Sequence, residues 1–288
     1  MTEGADRWLE ELTARIRHLR RLADRLRRLR NEAARPETHP LTLSRRHAEV
    51  AALLEKAAAW DWAGGWQTLQ AYLETLRAEL PERWIPWRQR WFQDLTEALG
   101  PLAESLRLQG SWLSLGFLRI EPDLERDRVT VSYGPEDIET RRSDPRALGR
   151  WLQAWYRDLQ RRALPPERFV EVLWQAYREA RNPSGDPRVP IAAVYRRLVV
   201  ARQSSTFWTD AEARHFTPYP RYLFSYELYR LREAPDAWTA RFQIQLLPAA
   251  FEATRRRGDY VWVPEGFRPE GARYAFLVMQ RRDEWSDE

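Results

Sequence analysis

The sequence contains no cysteine and is poor in several other reactive residues. Of its 288 residues, four are His, two are Met and one, Lys56, is Lys. Without thiols there is no disulfide framework, no cysteine-ligated zinc, no iron–sulfur cluster and no thiol nucleophile. The histidines, at 18, 39, 47 and 215, fall in neither an HxxxH nor an HExxH spacing. These absences exclude cysteine-based metal and redox chemistry and the common histidine motifs that bind zinc.

No hydrophobic run is long enough to span a membrane. The longest apolar stretches, such as Tyr274–Met279, fall far short of the roughly 20 residues that a bilayer requires. The first residues, MTEGADRWLEEL, begin with acids and lack a basic region followed by an apolar run, so they do not resemble a signal peptide. We therefore expect a cytoplasmic protein without membrane contact.

The common nucleotide and calcium motifs are also missing. The sequence has no P-loop, no GxGxxG and no EF-hand loop. Ser204, Ser205, Asp210 and His215 include the residue types of a hydrolase triad, but there is no GxSxG elbow to present a serine. We expect His215, between Arg214 and Phe216, to be structural.

An alternation of acids suggests a metal site, and its context favours a different interpretation. On one continuous strand, period two would place four carboxylates on one face, as Mg²⁺ sites for phosphoryl transfer require. The acids are Glu121, Asp123, Glu125 and Asp127. Pro122 argues against a continuous strand, and Arg126 and Arg128 neutralise the patch. We interpret the segment as a solvated hairpin turn and predict no catalytic residue, no metal and no cofactor.

The basic residues are almost all arginine. There are 47 basic and 42 acidic residues, so the net charge is +5. A GC-rich genome favours Arg codons, and the scarcity of Cys and Met suits a thermophile. Guanidinium groups also match phosphate geometry. The composition therefore permits nucleic-acid binding without requiring it.

Residues 1–110 have the pattern of a helical bundle or coiled-coil arm. An apolar heptad seam runs through Leu9, Leu12, Ile16, Leu19, Ala23 and Leu26. Residues 15–30 hold eight Arg and one acid, Asp24. Further helices are expected from Ser44, over 66–80, over Trp84–Leu99 and over 101–109. The seam predicts packing or self-association through residues 9–29, and the Arg face is either solvated or a contact for nucleic acid.

Residues 111–288 predict an α+β domain, so that the whole chain is α+β and mostly α. Strands are expected over Trp112–Ile120 and Asp127–Tyr133, joined as a hairpin. Helices follow from Pro145, over 166–181, over 190–202 and over 220–232, and then strands over 240–247, 260–263 and 273–280. The order of elements at about 166–282 resembles a winged helix-turn-helix, with three helices followed by a β wing.

The helix at 220–232 and a later basic cluster supply the candidate binding residues. At 100° per residue, one face of this helix carries Phe224, Leu228 and Leu231, and the opposite face carries three tyrosines. Aromatic rings beside arginines suit nucleic acid or a protein hot spot. The residues predicted to bind nucleic acid are Arg221, Tyr222, Tyr226, Tyr229, Arg230, Arg241, Arg255, Arg256 and Arg257. The alternatives are a helix buried on both sides and an arginine cluster that is only a solvated helix end.

These features predict a non-enzymatic subunit that binds nucleic acid, DNA rather than RNA, and that has a helical oligomerisation arm. An alternative is an adaptor or structural subunit of an ATPase-driven complex for DNA maintenance or defence. A third hypothesis, a metal-dependent phosphodiesterase, depends on the acidic hairpin alone.

Overall fold

A computed structural model describes residues 2–60, 66–182, 185–256 and 258–282. Within these residues the chain is a mostly helical α+β protein, in agreement with the predicted class. Its contacts divide it into two compact units. The first is Met1–Ala98 together with Leu124–Asp127 and Asp144–Arg146, and the second is the remainder of the chain.

The first unit consists of consecutive helices. They are α1 (Thr2–Ala33), α2 (Pro40–Ala58), α3 (Trp66–Glu79) and α4 (Trp84–Leu99). Two contacts show that α2 runs antiparallel to α1. His18 Nε2 of α1 lies 2.9 Å from the Leu53 carbonyl in the later part of α2. Glu32, at the end of α1, lies 3.4 Å from Arg46 in the earlier part of α2. Helix α3 lies beside α2, where His47 Nε2 is 2.8 Å from the Leu73 carbonyl.

The core of this unit uses only part of the α1 seam. Leu22 and Leu29 of α1 are buried against leucines, a valine and an alanine of α2 and α3. Leu19 and Leu26 pack at the margin of this core, whereas Ala23 is exposed. The face of α1 that packs against α2 and α3 therefore lies beside the predicted heptad seam rather than along it.

Two helix predictions in this half are wrong at their ends. Helix α2 begins at Pro40 rather than at Ser44, since His39 Nδ1 accepts a hydrogen bond from the Leu41 N–H at 3.0 Å. Proline suits the first helical position because its missing N–H would have no partner there. The helix expected over 101–109 is instead a 3₁₀ turn, Gly100–Ser105, and a strand. Gly100, at φ +54°, ends α4.

The second unit opens with a five-stranded antiparallel sheet in which each strand pairs with the next. Its strands are β1 (Leu106–Gln109), β2 (Trp112–Leu115), β3 (Leu118–Asp123), β4 (Arg128–Tyr133) and β5 (Glu136–Arg141). The single strand expected over Trp112–Ile120 is instead two strands, β2 and β3, which turn back on each other at Gly116, where φ is +51°. The expected hairpin with the following strand is formed by β3 and β4. Pro122 lies inside β3, contrary to expectation, and β2 pairs with β3 only as far as Ile120. A proline is tolerated where one side of a strand has lost its neighbour.

Close packing requires glycine at the turn between β4 and β5. Gly134 has φ +56°, and a Cβ there would lie 2.3 Å from the Trp262 ring. The turn is short, and β5 starts at Glu136.

Helices and a second sheet complete this unit. The helices are α5 (Pro145–Arg162), α6 (Pro166–Ala180), α7 (Ile191–Ala201), α8 (Ser205–Thr209) and α9 (Arg221–Glu233). The strands are β6 (Val189–Pro190), β7 (Phe242–Pro248), β8 (Val261–Pro264) and β9 (Gly271–Arg281). The sheet order is β6-β9-β7, and β8 also pairs with β9, all antiparallel. Among the described residues, no helix combines the length and the hydropathy needed to cross a bilayer.

Candidate nucleic-acid interface

Helix α9, which carries most of the predicted binding residues, is packed on two sides. On one side the Phe224 ring lies 6.4 Å from Phe169 of α6 and 5.5 Å from Tyr195 of α7. On the other side Ser225 donates a hydrogen bond to the Trp262 carbonyl of β8. The helix is therefore an interior element of the second unit.

The tyrosines of α9 face an aromatic cluster rather than solvent. Tyr226 is 8% exposed, and its ring and that of Tyr229 lie 5.6 and 5.0 Å from Phe117. The Tyr222 ring lies 5.6 Å from Trp155 of α5. Burial raises the pKa of all three tyrosine hydroxyls, which therefore stay neutral. The expectation of a partner-facing tyrosine surface is wrong for Tyr226, and Tyr222 and Tyr229 are half-buried.

The arginines on and beside α9 also contact groups inside the protein. Arg221 Nε lies 3.0 Å from Glu136 Oε1, and Arg221 also donates to the Tyr260 carbonyl. Arg230 donates to the Leu164 carbonyl at 3.2 Å, and its guanidinium lies 5.9 Å from the Tyr226 ring.

Arg241 forms an ion pair with Glu171 of α6. These three arginines thus join elements of the second unit to one another. Arg221 and Arg230 are only partly exposed.

Sequence reasoning missed a buried carboxylate at the centre of α9. Glu227 Oε1 accepts from the Leu164 N–H at 2.8 Å and from Arg202 at 3.3 Å, and Oε2 accepts from the Tyr219 hydroxyl. Burial raises the pKa of Glu227, and Arg202 and the Tyr219 hydroxyl act in the opposite direction. The only signal in the sequence is a lone acid among apolar residues of a helix.

The segment between β7 and β8 presents a small exposed basic patch. Phe251 is 75% exposed, and the Arg255 guanidinium lies 5.4 Å from its ring. Arg256 is exposed, and Arg257 lies outside the described residues. Within the described chain neither Arg255 nor Arg256 forms a salt bridge.

Helix α1 carries an exposed basic surface. Six exposed arginines of α1 form no salt bridge with a described residue, and four of them lie on one side of the helix. They fall within an arc of about 100° at 100° per residue. We call this group the arginine face, and its members are Arg17, Arg20, Arg21 and Arg28.

A groove between α1 and α2 continues the arginine face. It has a volume of about 510 Å³ and is lined by Arg21, Arg25, Arg28 and Lys56, with Asp24 and Glu49 as the acids. The acids have partners, because Glu49 lies 3.2 Å from Arg25 and Asp24 lies 3.1 Å from Arg27. Arg21, Arg28 and Lys56 form no salt bridge within the described residues, so the groove is an electropositive surface.

The residues that include the types of a hydrolase triad make structural contacts. Ser204 caps α8, accepting from the Phe207 N–H at 3.2 Å. Asp210, Glu212 and His215 bring potential metal-ligand atoms within 4.8 Å of one another. However, Arg214 pairs with Glu212 at 2.8 Å and with Asp210 at 3.7 Å. The guanidinium thus supplies the positive charge that a cation would bring to these acids.

The acidic hairpin is likewise paired with arginines. Glu121 lies 2.5 Å from Arg119, and Glu125 lies 3.6 Å from Arg88. Glu125 also belongs to a 3₁₀ turn rather than to a strand, so the four acids do not alternate along one strand.

Comparisons with protein-family models, with curated proteins and with solved structures returned no match to this chain. No relative therefore supplies a function, and only the geometry of the chain's own residues bears on it.

Proposed function

We propose that this protein binds DNA without catalysing a reaction, and that the arginine face of α1 makes the principal contacts to phosphates. The observation that carries the proposal is the group of four exposed arginines that have no acidic partner within the described chain. Exposed guanidinium groups without internal partners match phosphate oxygens in charge and in hydrogen-bonding geometry.

The dimensions of this face suit a duplex. From Arg17 to Arg28 the helix rises roughly 16 Å, at 1.5 Å per residue. Double-stranded DNA carries one charge per about 1.7 Å of its axis, so such a face spans several phosphates. Contacts of this kind give affinity that is strongly salt-dependent and largely independent of sequence.

Arg255 and Arg256 supply a second, weaker candidate contact. The element order is α6, β6, α7, α8, α9, β7, β8, β9, and β6 lies beside β9. Apart from the inserted α8 and β8, this order supports a winged-helix-like interpretation of residues 166–282. In such a fold the segment after β7 corresponds to the wing. Because α9 is covered by the aromatic cluster, we expect α9 to have no role in reading bases.

The experiment is a fluorescence-anisotropy titration of labelled duplex DNA at low salt. The site variant replaces Arg17, Arg21 and Arg28 with Gln. We expect its affinity to fall at least tenfold, because each lost charge-assisted contact to phosphate removes favourable free energy.

The matched control replaces Arg90, Arg196 and Arg197 with Gln. These are exposed arginines that also lack a salt bridge within the described chain, so the control changes the net charge equally. We expect less than a twofold effect. Equal losses in both variants would contradict a localised site, and a loss only after Arg255→Gln and Arg256→Gln would move the site to the wing.

An adaptor role is the second candidate, and the uncovered part of the α1 seam favours it. Exposed large apolar side chains in a continuous strip are typical of protein interaction sites. If the wild-type chain binds neither single- nor double-stranded oligonucleotides at low salt, the nucleic-acid proposal is wrong and the adaptor becomes the better account.

A further inference from the structure

The N-terminal half of α1 extends past the end of α2. The two helices have 32 and 19 residues and run antiparallel with His18 beside Leu53. Helix α2 ends at Ala58, so by equal rise along both axes its end lies beside about residue 13 of α1. No described residue of α2 can therefore cover the first three turns of α1.

This extension displays an apolar strip. Trp8, Leu9, Leu12 and Ile16 are 60%, 53%, 37% and 42% exposed. Leu9, Leu12 and Ile16 are the first half of the heptad seam, and the rest of the seam, Leu19 to Leu26, is only partly used by the core. Apolar side chains at this heptad spacing become buried when a second helix packs against them with knobs-into-holes geometry.

We propose that the seam of α1 pairs with the seam of a second copy of this chain, and that the two helices run antiparallel. Charge selects the second copy and its direction. Residues 3–11 contain four acids, Glu3, Asp6, Glu10 and Glu11, and one base, Arg7, whereas residues 15–30 contain eight Arg and one acid. Antiparallel pairing places each acidic end beside an arginine-rich segment, while parallel pairing would place the two arginine-rich segments together.

One register fits both the seam and the charges at the e positions. When Leu9 faces Leu19 of the second copy, Leu12 faces Ile16 of that copy and Ala5 faces its Ala23. With Leu9 at heptad position a, the flanking e positions are Asp6, Thr13 and Arg20. Position e faces e in an antiparallel pair, so Asp6 lies beside Arg20 of the second copy, and Thr13 lies beside its own equivalent at the two-fold axis.

This inference is independent of the proposed function, because the pairing needs no nucleic acid. The helix turns by 100° per residue. On this basis the directions of Arg17, Arg21 and Arg28 differ from the mean direction of the seam by more than about 120°. A dimer would therefore keep these three arginines exposed on each copy.

The first test measures the mass of the full chain in solution without nucleic acid. We expect the wild type at twice the 34.3 kDa of one chain, and Leu12→Asp with Ile16→Asp at the mass of one chain. Both positions are exposed, so the fold of a single chain tolerates the change. Ile85→Asp, at a more exposed apolar position of α4, is the control and should remain a dimer. A monomeric wild type, or a dimeric double variant, would overturn the proposal.

The second test determines direction. The chain has no cysteine, so single-cysteine variants report one position each. Thr13→Cys should cross-link to itself with a short bismaleimide, and Ala23→Cys should not, because its equivalent would lie roughly 27 Å away along the helix. Cross-linking of Ala23→Cys in place of Thr13→Cys would show a parallel pair and overturn the antiparallel assignment.

Discussion

At the scale of single residues, Glu227 ties several segments of the second unit together. It receives hydrogen bonds from the backbone of Leu164 and from the side chains of Arg202 and Tyr219. A carboxylate this deeply buried is tolerated because it has donors on both oxygens. Its role is to fix α9 against the ends of α5 and α7.

The raised pKa of Glu227 predicts a pH dependence of stability. The folded chain holds this proton to a higher pH than the unfolded chain, so the free energy of unfolding falls as pH rises from the unfolded pKa through the folded pKa. Glu227→Gln lacks this titration. Urea unfolding of both proteins from about pH 4 to 8 should show the wild type losing stability relative to the variant with rising pH. A constant or opposite difference would mean that the folded pKa is not raised.

At the scale of elements, the sequence predicts the type of most helices and strands but not their surroundings. The periodicity of Phe224, Leu228 and Leu231 and the alternation of Phe242, Ile244 and Leu246 both correspond to observed elements, α9 and β7. Two-residue β6 carries no periodic signal and forms only because β9 pairs with it.

The tyrosine face of α9 shows why the site was harder to predict than the helix. A helix with Tyr222, Tyr226 and Tyr229 opposite its aliphatic side has the same pattern whether solvent or another layer lies beyond them. Here Phe117 and Tyr133, about a hundred residues earlier in the chain, cover that side. Contacts between such distant segments leave no local trace in the sequence. The Arg15–Arg30 run was easier to interpret because a dense charge run stays solvated in most folds.

The packing of α9 predicts that Tyr226 matters for stability and not for binding. Tyr226→Ala should lower the free energy of unfolding by about 3–5 kcal/mol, as removal of a buried aromatic ring does. The more exposed Tyr72→Ala should cost no more than about 0.5 kcal/mol. Chemical denaturation measures both. DNA affinity measured where Tyr226→Ala is still folded should equal that of the wild type, and a selective loss of affinity would restore the tyrosine-surface hypothesis.

At the scale of the whole molecule, the two open surfaces of α1 account for the proposed activities. The proposed partner of the seam is a second copy of the chain, and the proposed partners of the arginine face are phosphates. The second unit uses Arg221, Arg230 and Arg241 for internal contacts, so its high arginine content does not by itself make it a binding surface. The net charge of +5 understates the positive potential along residues 15–30 of α1, where eight Arg stand against one acid.

The most direct test of the central claim is the salt dependence of DNA binding. Each phosphate contact contributes about 0.9 to the slope of log K against log salt for duplex DNA. Replacing Arg17, Arg21 and Arg28 with Gln should reduce that slope by roughly 2 to 3, while replacing Arg90, Arg196 and Arg197 should leave it unchanged. An identical slope in the wild type and the α1 variant would contradict phosphate binding by the arginine face of α1.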